Sequence, residues 1–373
     1  VGDGVPRRRI VVAGLGDTGV LTAIRLARRH DVVGISVKPG LVSGQEVGSR
    51  ITRPNEWSRD YWIPFGKFRG LDEVRVVHGT LTGLDTSARV VDVRHADGIE
   101  TGERYDALVI STGVRNGFWR RPTVQSADEV DADLATTHQQ LSAAESVAVV
   151  GGGAAAVSAA ANVAGVWPAK QVDLYFPGEH ALPHHHPRVW HRIRRRLDEL
   201  GVGVHPGHRA VVPGASAVEQ IAAGVVNWST GQRSVHADAV IWAIGAVRPN
   251  TEWLPDDLLD ERGFVRVADD LRVAGHGDVF AVGDVAATDP LRNSARNRAD
   301  RLVAHNVAAA LVGQSLRTYR PRTRRWGSVL GVQPDGLEVF APNGRPFRFP
   351  AWSIDSILQP WIVRRGIYRG IRD

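Results

Sequence analysis

The sequence predicts an α/β fold made of two nested, doubly wound units with a small α+β segment at the C-terminus, and three observations predict it. First, two stretches share one grammar of apolar strand, glycine turn and helix-prone run: Arg9-Ile-Val-Val-Ala13 before Gly14-Leu-Gly16-Asp-Thr-Gly19, and Val147-Ala-Val-Val150 before Gly151-Gly-Gly153-Ala-Ala-Ala156. Second, each is answered, at nearly the same interval, by an apolar strand ending in glycine: Leu108-Val-Ile-Ser-Thr-Gly113 and Val240-Ile-Trp-Ala-Ile-Gly245. Third, another strand, Val279 to Val282, ends in Gly283-Asp284 and leads into a helix that returns the chain to the first unit.

Taken in order, the strand at Val32 to Val37 completes a strand-helix-strand unit after the first glycine turn, and Val74 to Val77 and Arg89 to Arg94 read as further strands. The returning helix is expected from Ser294 to Leu311. Beyond Leu316 come short strands broken by the turns Pro334-Asp-Gly336 and Pro342-Asn-Gly344. The expected division is residues 1–115 with 247–315 for the first, discontinuous unit, 116–246 for the second, and 316–373 for a basic C-terminal segment.

The chain has 373 residues, 43% of them hydrophobic and 23% charged, the balance of a globular protein of about two to three domains. It has no cysteine, which excludes disulfide exchange, thiolate metal sites and iron-sulfur clusters, so any redox function needs a borrowed cofactor. Neither a spanning apolar run nor an apolar leader core is present, so the expected location is cytoplasmic. The net charge of +6 is concentrated after Leu316, where eleven arginines face four acids. A near-neutral body with a basic tail argues against a nucleic-acid partner and for a localised contact with an anionic surface.

In a glycine turn of this kind the first glycine permits the bend, the second lets backbone N–H groups approach a pyrophosphate, and the third allows close helix–strand packing. The helix N-terminus then favours the negative charge. The second turn has Ala156 in the third place, a substitution the pattern tolerates. An acid about 20 residues on, which would bind a ribose hydroxyl, is missing from both units. Ser36 stands there in the first and can still bond a hydroxyl, whereas Phe176 in the second cannot, so the choice between NADH and NADPH is not legible. Asp284, at a strand end after Gly283, suits a flavin ribityl chain, with the Val285 N–H near the phosphates, or else caps the next helix.

With these elements on the page, the chain resembles the two-dinucleotide-binding-domain flavoproteins, the pyridine nucleotide-disulfide oxidoreductase superfamily, of glutathione-reductase-like nested Rossmann architecture. The resemblance spans Arg9 to Leu311 and rests on Gly14 to Gly19, Ser111-Thr-Gly113, Gly151 to Gly153, Ala243-Ile-Gly245 with Arg248-Pro-Asn250, and Val282-Gly-Asp284. Lys38-Pro-Gly40 and His78-Gly-Thr-Leu81 are similar to the apoptosis-inducing-factor-like and ferroptosis-suppressor-like branch, near type II NADH dehydrogenases.

The resemblance implies FAD in the first unit and NADH or NADPH in the second. It implies that Gly14, Leu15, Gly16, Asp17, Thr18 and Gly19 hold the FAD pyrophosphate, with Ser36 and Lys38 by the adenosine ribose and Leu81 at the adenine. Thr112 and Gly113 line the same site, and Gly283, Asp284 and Val285 serve the ribityl chain. Gly152, Gly153, Ala154 and Ala155 face the nicotinamide dinucleotide beside Phe176, and Gly245 lets it lie across the flavin. Ser158 and Asn162 replace glutamates frequent in the family, a departure that bears on nicotinamide affinity.

The implied reaction passes a hydride from NAD(P)H to flavin N5 and on to a quinone-like or other non-disulfide acceptor. No side chain is nominated as catalytic, because the cofactors carry the chemistry. The alternative is a flavin-binding signalling or interaction protein of low turnover, similar to apoptosis-inducing factor. His184-His-His186 reads as a solvated loop, with no metal site expected. In the tail, Ile354, Ile357, Leu358, Trp361 and Ile362 follow helical spacing beside arginines. Two readings stand side by side for it: a peripheral contact with the anionic inner face of a membrane, or docking on the body or on a second subunit in a homodimer.

Overall fold

The computed structural model describes residues 6–43, 46–115, 122–214, 218–245, 247–288, 299–321 and 326–372. In chain order they form β1 (Arg9–Ala13), α1 (Asp17–Leu26), β2 (Asp31–Ser36), β3 (Gly40–Val42), α2 (Val47–Thr52), α3 (Pro54–Tyr61), β4 (Trp62–Pro64), β5 (Val74–Asp85), β6 (Val90–His95), β7 (Glu100–Arg104), β8 (Ala107–Ile110), β9 (Val114–Arg115) and α4 (Ala127–Ala143). These are followed by β10 (Ser146–Val150), α5 (Ala154–Val166), β11 (Gln171–Tyr175), α6 (Pro187–Glu199), β12 (Gly203–His205), β13 (Ala222–Val226), β14 (Val235–Trp242), β15 (Arg248–Pro249), β16 (Val279–Ala281), α7 (Ala299–Ala310), β17 (Val332–Gln333), β18 (Gly336–Phe340) and β19 (Pro346–Phe349). A C-terminal helical segment follows, π-type over Ile354–Ile367.

Strands β1, β8 and β16 are continuous apolar runs because both faces of their sheet are covered. That sheet has the order β16-β8-β1-β2-β5-β6-β7, parallel from β16 to β5 and antiparallel beyond. On one face lie Val20 and Ile24 of α1 with Val303 and Val307 of α7; on the other, Trp253, Leu254 and Val265. The second sheet, β12-β11-β10-β14-β13, repeats the parallel core with one antiparallel edge. Its core joins α5 and α6 to Ile51 of α2 and Leu141 of α4. The fold is thus two Rossmann-like sheets with the second unit inserted between β8 and β16 of the first.

The units meet where α2 crosses α5 with no room for a side chain. A Cβ on Gly48 would stand 2.4 Å from the Ser158 carbonyl oxygen. Asn162 donates from Nδ2 to the Leu330 carbonyl at 2.8 Å, and its Oδ1 accepts from Arg53 at 2.8 Å and from Gln333 at 3.2 Å. Ser158 and Asn162, which replace glutamates frequent in the resembled family, are buried in a polar lock between the two units and the C-terminal segment. Their helix face is set by what α5 packs against, which local sequence does not state.

The segment after Leu316 has its small α+β character, with hairpin turns at both Pro-x-Gly sites, but it divides its contacts. Val329, Leu330 and Phe340 join the core of the second unit, and Tyr368 that of the first. Tyr368 meets Phe68 edge to face at 5.4 Å, while Arg372 pairs with Asp72 at 2.5 Å. Trp352 and Trp361 between these anchors are 69% and 57% exposed.

Two local expectations shift, and one cannot be placed. Arg89 has φ 55° and belongs to the turn before β6 rather than to the strand. The expected helix start at Ser294 and the boundary residues 116 and 246 lie outside the described residues. The histidine loop is part of the packing: His186 accepts the Arg188 N–H at 3.2 Å and caps α6, and burial pushes the pKa of His185 down. Among the described residues no helix is long and apolar enough to cross a membrane.

Phe68 is fully buried against the tail. Phe68→Ala should lower stability by about 3–5 kcal/mol, read as a drop in the urea midpoint. An unchanged midpoint would show that the tail contributes nothing through this contact.

Candidate functional site

The C-terminal ends of β1, β2, β8 and β16 open into a cavity of about 430 Å³, the crevice expected of a doubly wound sheet. The turn after β1 forms one wall, and its three glycines are there for different reasons. Gly14 has φ 102°, and a Cβ on it would stand 2.6 Å from the Ser111 carbonyl oxygen. A Cβ on Gly19 would stand 1.9 Å from the Gly14 carbonyl oxygen, so α1 can press against the strand ends only with glycine there. Gly16 faces open space: a Cβ would meet nothing within 4 Å. As the N-cap of α1 it also supplies no side chain to the first turn, which leaves the helix terminus suited to an anion.

Leu15, Asp17 and Thr18 line the cavity with Gly14 and Gly16, whereas Gly19 lies behind the wall. The Asp17 carboxylate accepts from Ser43 Oγ at 2.9 Å. Ser36 and Lys38 stand at the end of β2. The Lys38 N–H donates to Ser36 Oγ at 3.2 Å and Lys38 Nζ to the Thr123 carbonyl at 3.2 Å. Leu81, where β5 passes from parallel to antiparallel pairing, closes the same side.

Thr112, Gly113, Gly283 and Asp284 form the opposite wall, and Gly283 has φ 82°. Val285 is wholly buried, so only its backbone can serve the cavity.

Several lining residues escaped the sequence reading. Strands β9 and β15, two residues each, carry the chain out to the second unit and back, and pair antiparallel. Thr112 Oγ1 donates to the Asn250 carbonyl at 2.8 Å, and Asn250 Nδ2 returns a bond to the Thr112 carbonyl at 3.0 Å. Asn250 Oδ1 is buried without a partner at the cavity, and Arg115 pairs with Glu252 beside it. The quoted Arg248-Pro-Asn250 run was the available signal, but strands this short show no periodicity.

The residues fit a flavin dinucleotide: an uncapped helix terminus, open space at Gly16 and Gly113, a carboxylate at Asp284 and an unpartnered amide oxygen all belong to one cavity.

The second turn repeats the steric rule. A Cβ on Gly151, φ 142°, would stand 2.1 Å from the Ala243 carbonyl oxygen, while Gly153 and Gly245 face open space. Ala154 and Ala155 open α5 half-buried. Phe176 does not reach this opening. It is buried, with its ring edge to face with Trp190 at 5.7 Å and its Cβ 3.2 Å from where a Cβ of Gly152 would be, so it is a packing residue. Burial, and secondarily the Asp173 charge, pushes the Tyr175 phenol up to about 12, which keeps it neutral beneath the turn. None of these second-unit positions lines the first cavity.

Comparison with known proteins agrees in extent with this architecture. The family described as pyridine nucleotide-disulphide oxidoreductase matches residues 8–310. Oxidoreductase ptaL of Pestalotiopsis fici is 27% identical, with 95% of this chain and 96% of that protein aligned. Ferroptosis suppressor protein 1 of Xenopus tropicalis is 27% identical over 66% of each chain. Among solved structures, the sulfide:quinone oxidoreductase of Aquifex aeolicus superposes with a TM-score of 0.72 at 15% identity, covering 98% of this chain and 92% of that one.

The glycine geometry separates folding from binding. Gly14→Ala should cost about 1–3 kcal/mol or more of stability, because it combines a left-handed φ with a carbonyl clash. Gly16→Ala should leave the unfolding midpoint within about 0.5 kcal/mol of the wild type while weakening FAD retention. Equal effects of the two on the midpoint would refute the division.

Proposed function

This chain belongs to the pyridine nucleotide-disulphide oxidoreductase family, and from that premise we propose that it is an FAD-dependent NAD(P)H oxidoreductase that serves a quinone-like or other non-disulfide acceptor. The single observation that carries the reading is the cavity in which the Gly14–Gly19 turn, Gly113 and Gly283-Asp284 converge. Bound there, FAD would supply two-electron redox chemistry. The chain's own work is binding and orientation. The α1 N-terminus holds negative charge, and Asp284 accepts hydrogen bonds from ribityl hydroxyls. The Thr112–Asn250 pair holds the two crossing strands together at the cavity edge. The absence of cysteine favours a non-disulfide acceptor. Exposed Trp352, Ile357, Trp361 and Ile362 beside tail arginines favour a peripheral membrane contact from which a quinone is reached.

Phe176, buried where a ribose-binding acid would stand, favours a second reading: a flavin protein with weak nicotinamide binding and low turnover. One experiment separates the two. The purified protein should be yellow, and anaerobic NADH or NADPH should bleach it, with turnover on a soluble quinone analogue. A flavin that stays oxidised favours the second reading, and failure to take up FAD defeats both.

Asp284→Ala should weaken FAD binding by about 1.5–3 kcal/mol, the size of a charge-assisted hydrogen bond. Flavin retention on dilution measures it. Unchanged retention would leave Asp284 a structural turn residue.

A further inference from the structure

On the far side of α1 from the glycine turn lies a second cavity, of about 570 Å³, whose charged lining is entirely arginine. Arg25, Arg28 and Arg29 reach it from the C-terminal end of α1, Arg301 and His305 from one face of α7, and Arg369 from the tail. Among the described residues no carboxylate lines it. The nearby Asp300 is already paired with Arg25 and is buried. Arg28, Arg29, Arg301 and Arg369 form no ion pair among the described residues.

Helix electrostatics account for only part of this. Cations at the C-terminal end of α1 complement its dipole, but Arg301 stands near the start of α7, where a cation is disfavoured. Arg369 is held in the left-handed region, φ 59°, between the Tyr368–Phe68 contact and the Gly370 N–H bond to the Arg364 carbonyl at 2.8 Å. Burial, then the charges of Arg25, Arg28 and Arg301, pushes the Arg369 pKa down, and the nearby Asp300 charge only partly opposes them.

His30 supplies an independent observation. Only 5% exposed, it lines the same cavity, and both of its ring nitrogens are buried without a hydrogen-bond partner. Its ring nitrogens are closed off from the open cavity, and burial, then the Arg7 and Arg29 charges, pushes its pKa down, so His30 adds no counter-charge and the arginines are what face an anion.

We propose that this cavity, between α1, α7 and the tail, is a binding site for a multiply charged phosphate group, carried either by a free phosphorylated molecule or by a lipid headgroup. Guanidinium forks match phosphate oxygens in pairs, and several converging on one anion relieve their own repulsion. The site is separate from the dinucleotide cavity and does not depend on the redox reading. It also relocates the basic contact expected from the tail: Arg25 comes from α1, Arg28 and Arg29 from the turn that follows it and Arg301 from α7, in the body whose net charge is near zero.

The test uses the full-length, flavin-loaded protein, with inorganic pyrophosphate as the soluble probe and phosphatidylcholine vesicles with or without phosphatidic acid, whose headgroup is a phosphomonoester, as the lipid probe. Calorimetric titration should show pyrophosphate binding to the wild type, weakened at least about tenfold in Arg28→Glu/Arg301→Glu. Both replaced side chains are exposed, so flavin content and unfolding temperature should be retained, and Arg301→Gln provides a milder variant with an intermediate loss. Sedimentation with phosphatidic acid vesicles, reversed by pyrophosphate and lost in the double variant, assigns the phosphate to a headgroup. Pyrophosphate binding without vesicle sedimentation assigns it to a free molecule. Equal pyrophosphate binding by wild type and variants, or no binding of either probe, overturns the proposal.

Discussion

A carbonyl oxygen occupies the place of a Cβ at the first glycine of both nucleotide turns, 2.6 Å away at Gly14 and 2.1 Å at Gly151. Backbone-to-backbone contact of this kind sets how near a strand end, the next strand and the following helix can come. Because the neighbouring strand is pressed to that distance, α1 starts at the sheet edge with its N-terminus facing the crevice. The helix face then meets α7 over β1 and β8, and the far ends of β2 and β16 complete the cavity. Gly19, pressed on the Gly14 carbonyl, extends the same contact into the helix, and Ala156 shows that the second unit accepts one more methyl at that point.

The two units are joined by a second close approach, Gly48 on α5, backed by neutral polar groups. Asn162 satisfies its amide with Leu330, Arg53 and Gln333, so a buried site that would charge heavily for a carboxylate holds an uncharged side chain instead. The C-terminal segment depends on this lock, since Leu330 and Gln333 are its own contribution. The paired strands β9 and β15 tie the crossing points together beside the first cavity. Attachment of the second unit to the first thus includes hydrogen bonds made by chain segments far apart in sequence.

Charge along the chain and charge in space diverge. The eleven arginines after Leu316 look like one basic tail, but Arg364 lies beside Asp60, Arg372 pairs with Asp72 and Arg348 with Asp335. Arg369 instead joins Arg25 at the end of α1, Arg28 and Arg29 just beyond it, and Arg301 of α7. Exposed pairs such as Arg348–Asp335 contribute little to stability, so their main effect is to remove those arginines from any external contact. The concentrated positive potential lies on a surface shared by body and tail.

What the sequence determined by itself was the nucleotide-binding frame and the first cavity: both glycine turns, the strands that answer them, Gly283-Asp284, and most lining residues from Gly14 to Leu81. These are legible because steric limits at glycine and apolar runs in covered strands are local properties of the chain. Only the tertiary structure decided that Ser158 and Asn162 face an interface, that Phe176 packs on Trp190, that Asn250 and Arg115 reach the cavity, and that cations from three elements converge at His30. Each depends on which helix face meets which neighbour and on where opposite charges fall. Those relations join residues tens to hundreds of positions apart, and local periodicity carries no information about them.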